Sequence, residues 1–317
     1  MAKVGDTLGG RYLVTATVRE TRSTVTLRAI DLRIGCEVDV EVVRAGIGPR
    51  TRSAQRLELD AQLASELAHP IVLPPRDLGV EDDGAPYVVT ARPKGETLDD
   101  RVCLSGVLGR DDVIRIGLDL LAAIASAHDK GIVHGSLGPE HVYLVERDSV
   151  LLGVFLSGFG GGMARGDEDA PLGFSRMAFV PPERLESGKV DEASDLYALA
   201  GILWFALTGR SPRTARSEGP LAQSTHPPHV RVLRKALRTE PTRRYGSARE
   251  MIHALLVARD APAVATTATR RSYPSLTGVV SGITSGENTP TRNDPALLER
   301  VLARRDSTPT QQDITAH

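Results

Sequence analysis

The sequence predicts an α+β chain built as two lobes, a small one of strands followed by a larger one of helices. Two observations carry that expectation. Up to about residue 92, apolar residues fall in short, β-branched, partly alternating runs, whereas beyond Pro93 they recur at helical spacing. A third observation marks where the packed part stops: from about residue 260 the composition shifts to Thr, Ser, Pro, Gly and Arg, with few large apolar side chains. The expected division is a strand-rich lobe over 1–92, a helical lobe over 93–259, and a mostly flexible tail over 260–317.

The strands come first. Arg11 to Val18, Thr24 to Ala29 and Val38 to Val43 are separated by turn signals such as the stretch from Arg33 to Cys36. A helix is predicted from Arg52 to Ala68, with Ala54, Leu57, Ala61, Ala64 and Leu67 on one stripe, and His69-Pro70 ends it. Two more strands, Asp77 to Val80 and Pro86 to Ala91, flank a turn at Asp82–Ala85. In the second lobe, Asp111 to Lys130 places Val113, Ile116, Leu120, Ile124 and Ala127 on one face. Asp195 to Thr208 is nearly all apolar and stops at Gly209, a C-terminal helix signal. Val230 to Leu237 and Ser247 to Ala258 complete the lobe. Within the tail, Asp294 and Pro295 start a short helix near 295–304, with Leu297, Leu298, Val301 and Leu302 as its apolar face. That face docks on the chain's own large lobe or on a partner.

Composition excludes several functions. With 39 basic and 40 acidic residues the net charge is −1, so no global field draws nucleic acid or an anionic membrane. The two cysteines, Cys36 and Cys103, are too far apart to form a C-x-x-C pair, which fits a reducing compartment. No apolar run reaches the roughly 18 residues of a membrane helix, and the first residues lack an apolar signal core. The expected location is the cytoplasm.

The motifs carry the functional reading. Gly131-Ile-Val-His-Gly-Ser-Leu-Gly-Pro-Glu-His-Val-Tyr-Leu resembles the catalytic loop of bacterial-type serine/threonine protein kinases, where the pattern is H-R-D-L-K-P-x-N. The resemblance extends from about residue 8 to 258. Leu8-Gly-Gly-Arg-Tyr is similar to the opening strand, Leu156-Ser-Gly-Phe-Gly stands at the D-F-G motif, and Val180-Pro-Pro-Glu-Arg-Leu stands at the A-P-E segment. It implies a protein-kinase-like fold with a β-rich N-lobe and a helical C-lobe.

The residues that such a fold uses on ATP are another matter. Phosphoryl transfer depends on positioning and on neutralising phosphate charge. Glycines let backbone amides approach the phosphates, but Arg19, Thr21 and Thr24 stand nearest those positions. The third-strand match to V-A-x-K is Val38-Asp39-Val40-Glu41, so Glu41 replaces the lysine and Asp39 the small residue over the adenine. Strand alternation puts both on one face. A carboxylate about 5 Å from a phosphate costs roughly 3 kcal/mol at an effective dielectric near 20. Asp60 aligns with the lysine's usual partner, giving a cleft expected to gather acids. Ser136 replaces the catalytic aspartate, Gly138 the loop lysine, His141 the metal-binding asparagine and Gly158 the metal-binding aspartate. Tyr143 replaces the leucine beneath the adenine, and so fills the pocket floor. By contrast, His134, Phe159, Gly160, Glu183, Asp195 and Arg244 match positions that hold the family fold together.

The resemblance and these departures together imply a pseudokinase: no enzyme, no cofactor and no metal, acting as a protein-binding scaffold or regulator. The alternatives are a residual or unconventional nucleotide-dependent phosphotransferase, or a small-ligand sensor using the altered cleft. Asp39 and Glu41 are solvated carboxylates of an open groove, or else part of a cation- or peptide-binding cleft. His134 reads as a core histidine. His141 has no metal-ligand spacing around it. The glycine-rich acidic loop over 160–170 is a surface loop or a partner site, and the basic run from Arg231 to Arg244 is a solvated helix face. In the tail, Thr291 and Thr310 each precede an aspartate by three residues. Phosphothreonine in that setting suits a forkhead-associated module. The expected partners are therefore proteins, among them an active kinase and a phosphothreonine-binding module.

Overall fold

The computed structural model describes residues 2–20, 23–44, 51–81, 83–147, 150–159, 176–213 and 226–261. The chain divides into two units, Met1–Val264 and Ala265–His317. The tail helix near 295–304 lies outside the described residues.

The first unit opens with a six-stranded antiparallel sheet. Its strands are β1 (Thr7–Leu8), β2 (Tyr12–Glu20), β3 (Thr24–Asp31), β4 (Cys36–Val43), β5 (Pro75–Val80) and β6 (Pro86–Ala91), in the spatial order β1-β2-β3-β4-β6-β5. Alternation decides which face is buried. Val25, Leu27 and Ala29 of β3 join Val38, Val40 and Val42 of β4 in one apolar cluster with Tyr12, Val14 and Val89. Thr24, Thr26 and Arg28, with Asp39 and Glu41, are left on the other face. At the sheet's far end Arg11 grips Asp31 through two bonds of 2.9 and 2.6 Å and Asp77 through a third of 2.9 Å. The Arg11 guanidinium holds the Asp31 carboxyl below its usual range.

Helix α1 (Arg52–Ser65) is capped by Thr51, whose hydroxyl accepts from the Ala54 amide. Ala54, Leu57 and Ala61 pack on Val43 and Val88 of the sheet, whereas Ala64 and the following Leu67 join the core of the second lobe. The apolar stripe read from the sequence therefore serves two cores in succession.

The second lobe begins with β7 (Glu96–Thr97) and α2 (Leu98–Ser105), followed by α3 (Arg110–His128), β8 (Val142–Arg147), β9 (Val150–Leu156), α4 (Pro182–Ser187), α5 (Glu192–Thr208), α6 (Pro228–Ala236) and α7 (Ala248–Asp260). Strands β7, β8 and β9 form a small antiparallel sheet. Helix α5 is buried nearly all round, which is why its sequence shows almost no polar face. It starts in a capping box between Asp191 and Ser194 and stops at Gly209, whose φ of 67° is left-handed. Gly117 on α3 lets α5 and α7 close in: a Cβ there would come within 2.8 Å of a Leu203 methyl.

Candidate functional site

The cleft face of the sheet carries alternating charge. Residues of β3 and β4 face one another in register, Thr26 opposite Glu41 and Arg28 opposite Asp39. Asp39 is engaged twice. Arg92, which directly follows β6, donates Nη1 to both of its carboxylate oxygens at 3.2 and 3.1 Å, and the Tyr143 hydroxyl donates to Oδ2 at 2.6 Å. The Arg92 guanidinium lies over the Tyr143 ring, 5.4 Å from its centroid. Arg92 and Tyr143 are each only 6% exposed, so the bonds lie in a poorly solvated setting where polar partners matter most. Burial, with the Asp39 charge next, pushes the Tyr143 hydroxyl well above its ordinary pKa, so it stays a donor. The trio joins β4, the residue after β6, and β8; the resemblance puts Asp39 and Tyr143 at positions that border an adenine.

Glu41 accepts a 2.8 Å bond from the Thr24 hydroxyl. Arg19 of β2 donates Nε to the Thr26 hydroxyl at 3.2 Å and places Nη1 3.3 Å from His141 Nε2, so it reaches from the sheet to the second lobe. Asp60 is half-buried on α1. The expected gathering of acids is thereby corrected: Asp39 is ion-paired with Arg92, and Arg19 and Arg28 stand on the same face. Sequence spacing could not reveal that Arg92 turns back onto Asp39.

The loop after α3 is organised by Asp195. Its carboxylate accepts the amides of His134 and Gly135, both at 2.8 Å, and meets His128 Nε2 at 2.9 Å. His134 is fully buried with Nε2 3.0 Å from the Ser157 carbonyl. Burial lowers its pKa and keeps it neutral, with Nε2 donating. Its ring lies 4.6 Å from Phe159 and 5.7 Å from His141, centroid to centroid. Ser136 follows, half-buried, its amide 3.4 Å from His134 Nδ1. Gly138 precedes the short turn Pro139–His141, and a Cβ on it would press into the Glu140 carboxylate at 2.3 Å.

Two substitutions turn out to be one. Gly158 has φ of +82°, and a Cβ on it would lie 2.5 Å from His141 Nδ1. The buried His141 ring occupies the space that any side chain at 158 would need. The two positions that the resemblance matches to metal ligands thus share a single packing solution. Among the described residues no three His, Cys, Asp or Glu side chains form a metal-holding group. These residues do not fit a magnesium–triphosphate held in the family's usual manner.

A second cluster is far better satisfied. Arg244 clasps Glu183 through two bonds of 2.6 and 2.7 Å and also donates to the carbonyls of Arg238, Thr239 and Ala193. Its guanidinium is fully buried and lies over the Tyr197 ring. Arg184 reaches the Gly135 carbonyl, tying this clasp to the Asp195 loop. Thr21, Gly160, Thr291 and Thr310 lie outside the described residues. Sequence spacing gives no sign of the role of Arg92; for Arg28 a signal exists, the polar phase of an alternating strand.

The fold is protein-kinase-like, a small β-rich lobe followed by a helical one. No family model matches the chain. It is similar to serine/threonine-protein kinase PknB of Mycobacterium tuberculosis, with 29% identity over 315 residues, 90% of this chain and 47% of that protein. A probable serine/threonine-protein kinase of Streptomyces coelicolor is 28% identical over 77% of this chain and 39% of its own length. PrkC of Bacillus subtilis is 26% identical over 81% and 42%. Among solved structures, the kinase domain of Mycobacterium tuberculosis PknI superposes with a TM-score of 0.59 at 23% identity, covering 82% of this chain and all of that one. The chain is thus related to the bacterial-type serine/threonine protein kinases and spans less than half the length of these curated relatives. The expectation of a non-enzyme is corrected by them: the relatives are named as kinases, so the family is one of phosphotransfer enzymes. No helix among the described residues is long and apolar enough to cross a membrane.

Proposed function

We propose that the chain is a signalling protein of the serine/threonine kinase family that works through protein contacts, as a cytoplasmic scaffold or regulator. The observation that supports this reading most is the contrast within one unit. The Glu183–Arg244 clasp and the Asp195 loop are fully bonded at positions that the resemblance assigns to the scaffold, while Asp39 and Tyr143, which it assigns to the adenine end, bond to each other and Asp39 also to Arg92. A maintained shape with an altered cleft suits binding by the lobes' surfaces. The partners are proteins: an active kinase that modifies Thr291 or Thr310, and a phosphothreonine-binding module that then docks on the tail.

Arg19 and Arg28 on the cleft face favour a second reading, an unconventional phosphotransferase that neutralises phosphate with arginine instead of lysine and metal. One experiment separates the two. The chain is incubated with magnesium–ATP, with and without an active bacterial serine/threonine kinase, and phosphothreonine is mapped by mass spectrometry before binding to a forkhead-associated module is measured. The regulator reading expects phosphate on Thr291 or Thr310 only when the second kinase is present, and module binding lost in the double alanine variant. Binding unaffected by those alanines removes the tail partner; phosphate appearing without the second kinase supports the phosphotransferase.

A further inference from the structure

We propose that the cleft face of the sheet, beside the Asp39–Arg92–Tyr143 trio, binds a small polyphosphate-type anion, without a divalent metal, between Arg28 and Arg19. The starting point is Arg28. Its neighbours Leu27 and Ala29 point into the sheet's apolar cluster, so Arg28 points to the cleft face. Its cross-strand neighbour is Asp39, the natural partner for its charge, yet Asp39 is taken by Arg92 and Tyr143. Among the described residues no side-chain bond to the Arg28 guanidinium is present, and its Nε is buried without an acceptor. An arginine cannot relieve such a site by losing its proton. Its fork of donors is suited to the paired oxygens of a phosphate, and a half-buried setting strengthens that pairing.

Arg19 supplies the second cation. Its Nε and Nη1 are used on Thr26 and His141, while Nη2 has no acceptor among the described residues. Arg19 pairs in register with Thr26, and Arg28 lies two residues further along β3 on the same face, roughly 7 Å away along the strand. That separation suits two linked phosphates. The opposing charge is Glu41, across from Thr26 and hydrogen-bonded to Thr24. Asp39 opposes little, because Arg92 compensates it. Since Tyr143, Asp39 and Arg92 occupy the adenine end, a nucleoside adds nothing to the affinity.

The inference goes beyond the regulator reading, and its test is separate: binding to the full chain is followed by calorimetry with inorganic tripolyphosphate in EDTA. Wild type is expected to bind, and ATP in EDTA is expected to bind within about threefold of tripolyphosphate, since each tenfold would need about 1.4 kcal/mol of extra contact. Arg28→Gln and Arg19→Gln are each expected to weaken binding at least tenfold, and Glu41→Gln to tighten it. Arg28→Lys, which keeps the charge but loses the fork, is expected to fall between, and it reads the same point should Arg28→Gln not fold. No binding by wild type, a requirement for magnesium, ATP binding tenfold or more tighter than tripolyphosphate, or unchanged affinity in the foldable Arg28 variants would each overturn the proposal.

Discussion

The Glu183–Arg244 clasp and the Asp39–Arg92–Tyr143 trio are both buried charge networks of one arginine, one carboxylate and an aromatic ring, yet they differ in origin. In the clasp every donor of Arg244 has an acceptor and the residues are those of the family pattern. In the trio the aromatic and the carboxylate are those that the resemblance marks as departures, and they bond to each other. The difference teaches that the cleft face holds a bonded polar network of its own. Its members satisfy buried groups that would otherwise stand alone.

The comparison can be broken most sharply at the clasp. Arg244→Ala strands a nearly buried carboxylate and several carbonyls, so a loss of about 3–5 kcal/mol is expected in urea unfolding. A loss below about 1 kcal/mol would place the clasp among surface pairs and erase the contrast. Next comes the coupled pair in the cleft. Gly158→Asp forces a left-handed backbone and a clash with His141, and about 2–3 kcal/mol of destabilisation is expected. Combining it with His141→Asn removes the clash but not the backbone strain, so the double variant should recover at least 0.5 kcal/mol relative to additivity; strict additivity would deny the shared packing. Tyr143→Phe keeps the ring and deletes one bond to Asp39, and a cost of about 1–2 kcal/mol is expected.

The smallest effect is pH-dependent and sharpens the picture of the Asp195 loop. Burial lowers the pKa of His134 in the folded chain, and also that of His229. The unfolded chain therefore takes up protons first as pH falls below about 6.5, so the stability these neutral rings contribute is full above that value and is lost as pH falls toward their folded values. Melting temperature is expected to drop between pH 7 and 5, with a shallower drop in His134→Gln. An unchanged slope in that variant would assign the pH dependence elsewhere.

Much of this was legible in the sequence. Strands with β-branched alternation and helices with long apolar stripes appear where the pattern placed them, because burial on one face imposes the period: Pro86–Ala91 matches its expected bounds, and Asp111 to Lys130 appears as Arg110–His128. Helix α2 was not legible, since Leu98 and Val102 alone anchor its eight residues. The β8–β9 hairpin was hidden because its short apolar runs are interrupted by Glu146, Arg147 and Asp148. In the cleft, the residue types were visible but their pairing was not. Alternation placed Asp39 and Glu41 on one face correctly; it could not show that Arg92, 53 positions on, would neutralise the first. The mutual exclusion of Gly158 and His141 likewise depends on a ring orientation that only packing fixes.

The proposal that the Asp39–Arg92–Tyr143 trio closes the cleft to a base is tested most directly with adenosine, which carries the base and ribose but no phosphate. Thermal unfolding would be followed with adenosine for the wild type and for the double variant Asp39→Ala, Tyr143→Leu. A ligand present at 100 times its dissociation constant stabilises by about 2.7 kcal/mol, a readily measured shift. The account predicts a shift in the double variant and none in the wild type. An equal shift in both proteins would contradict it, showing that the tyrosine, aspartate and arginine do not occupy the space of the base.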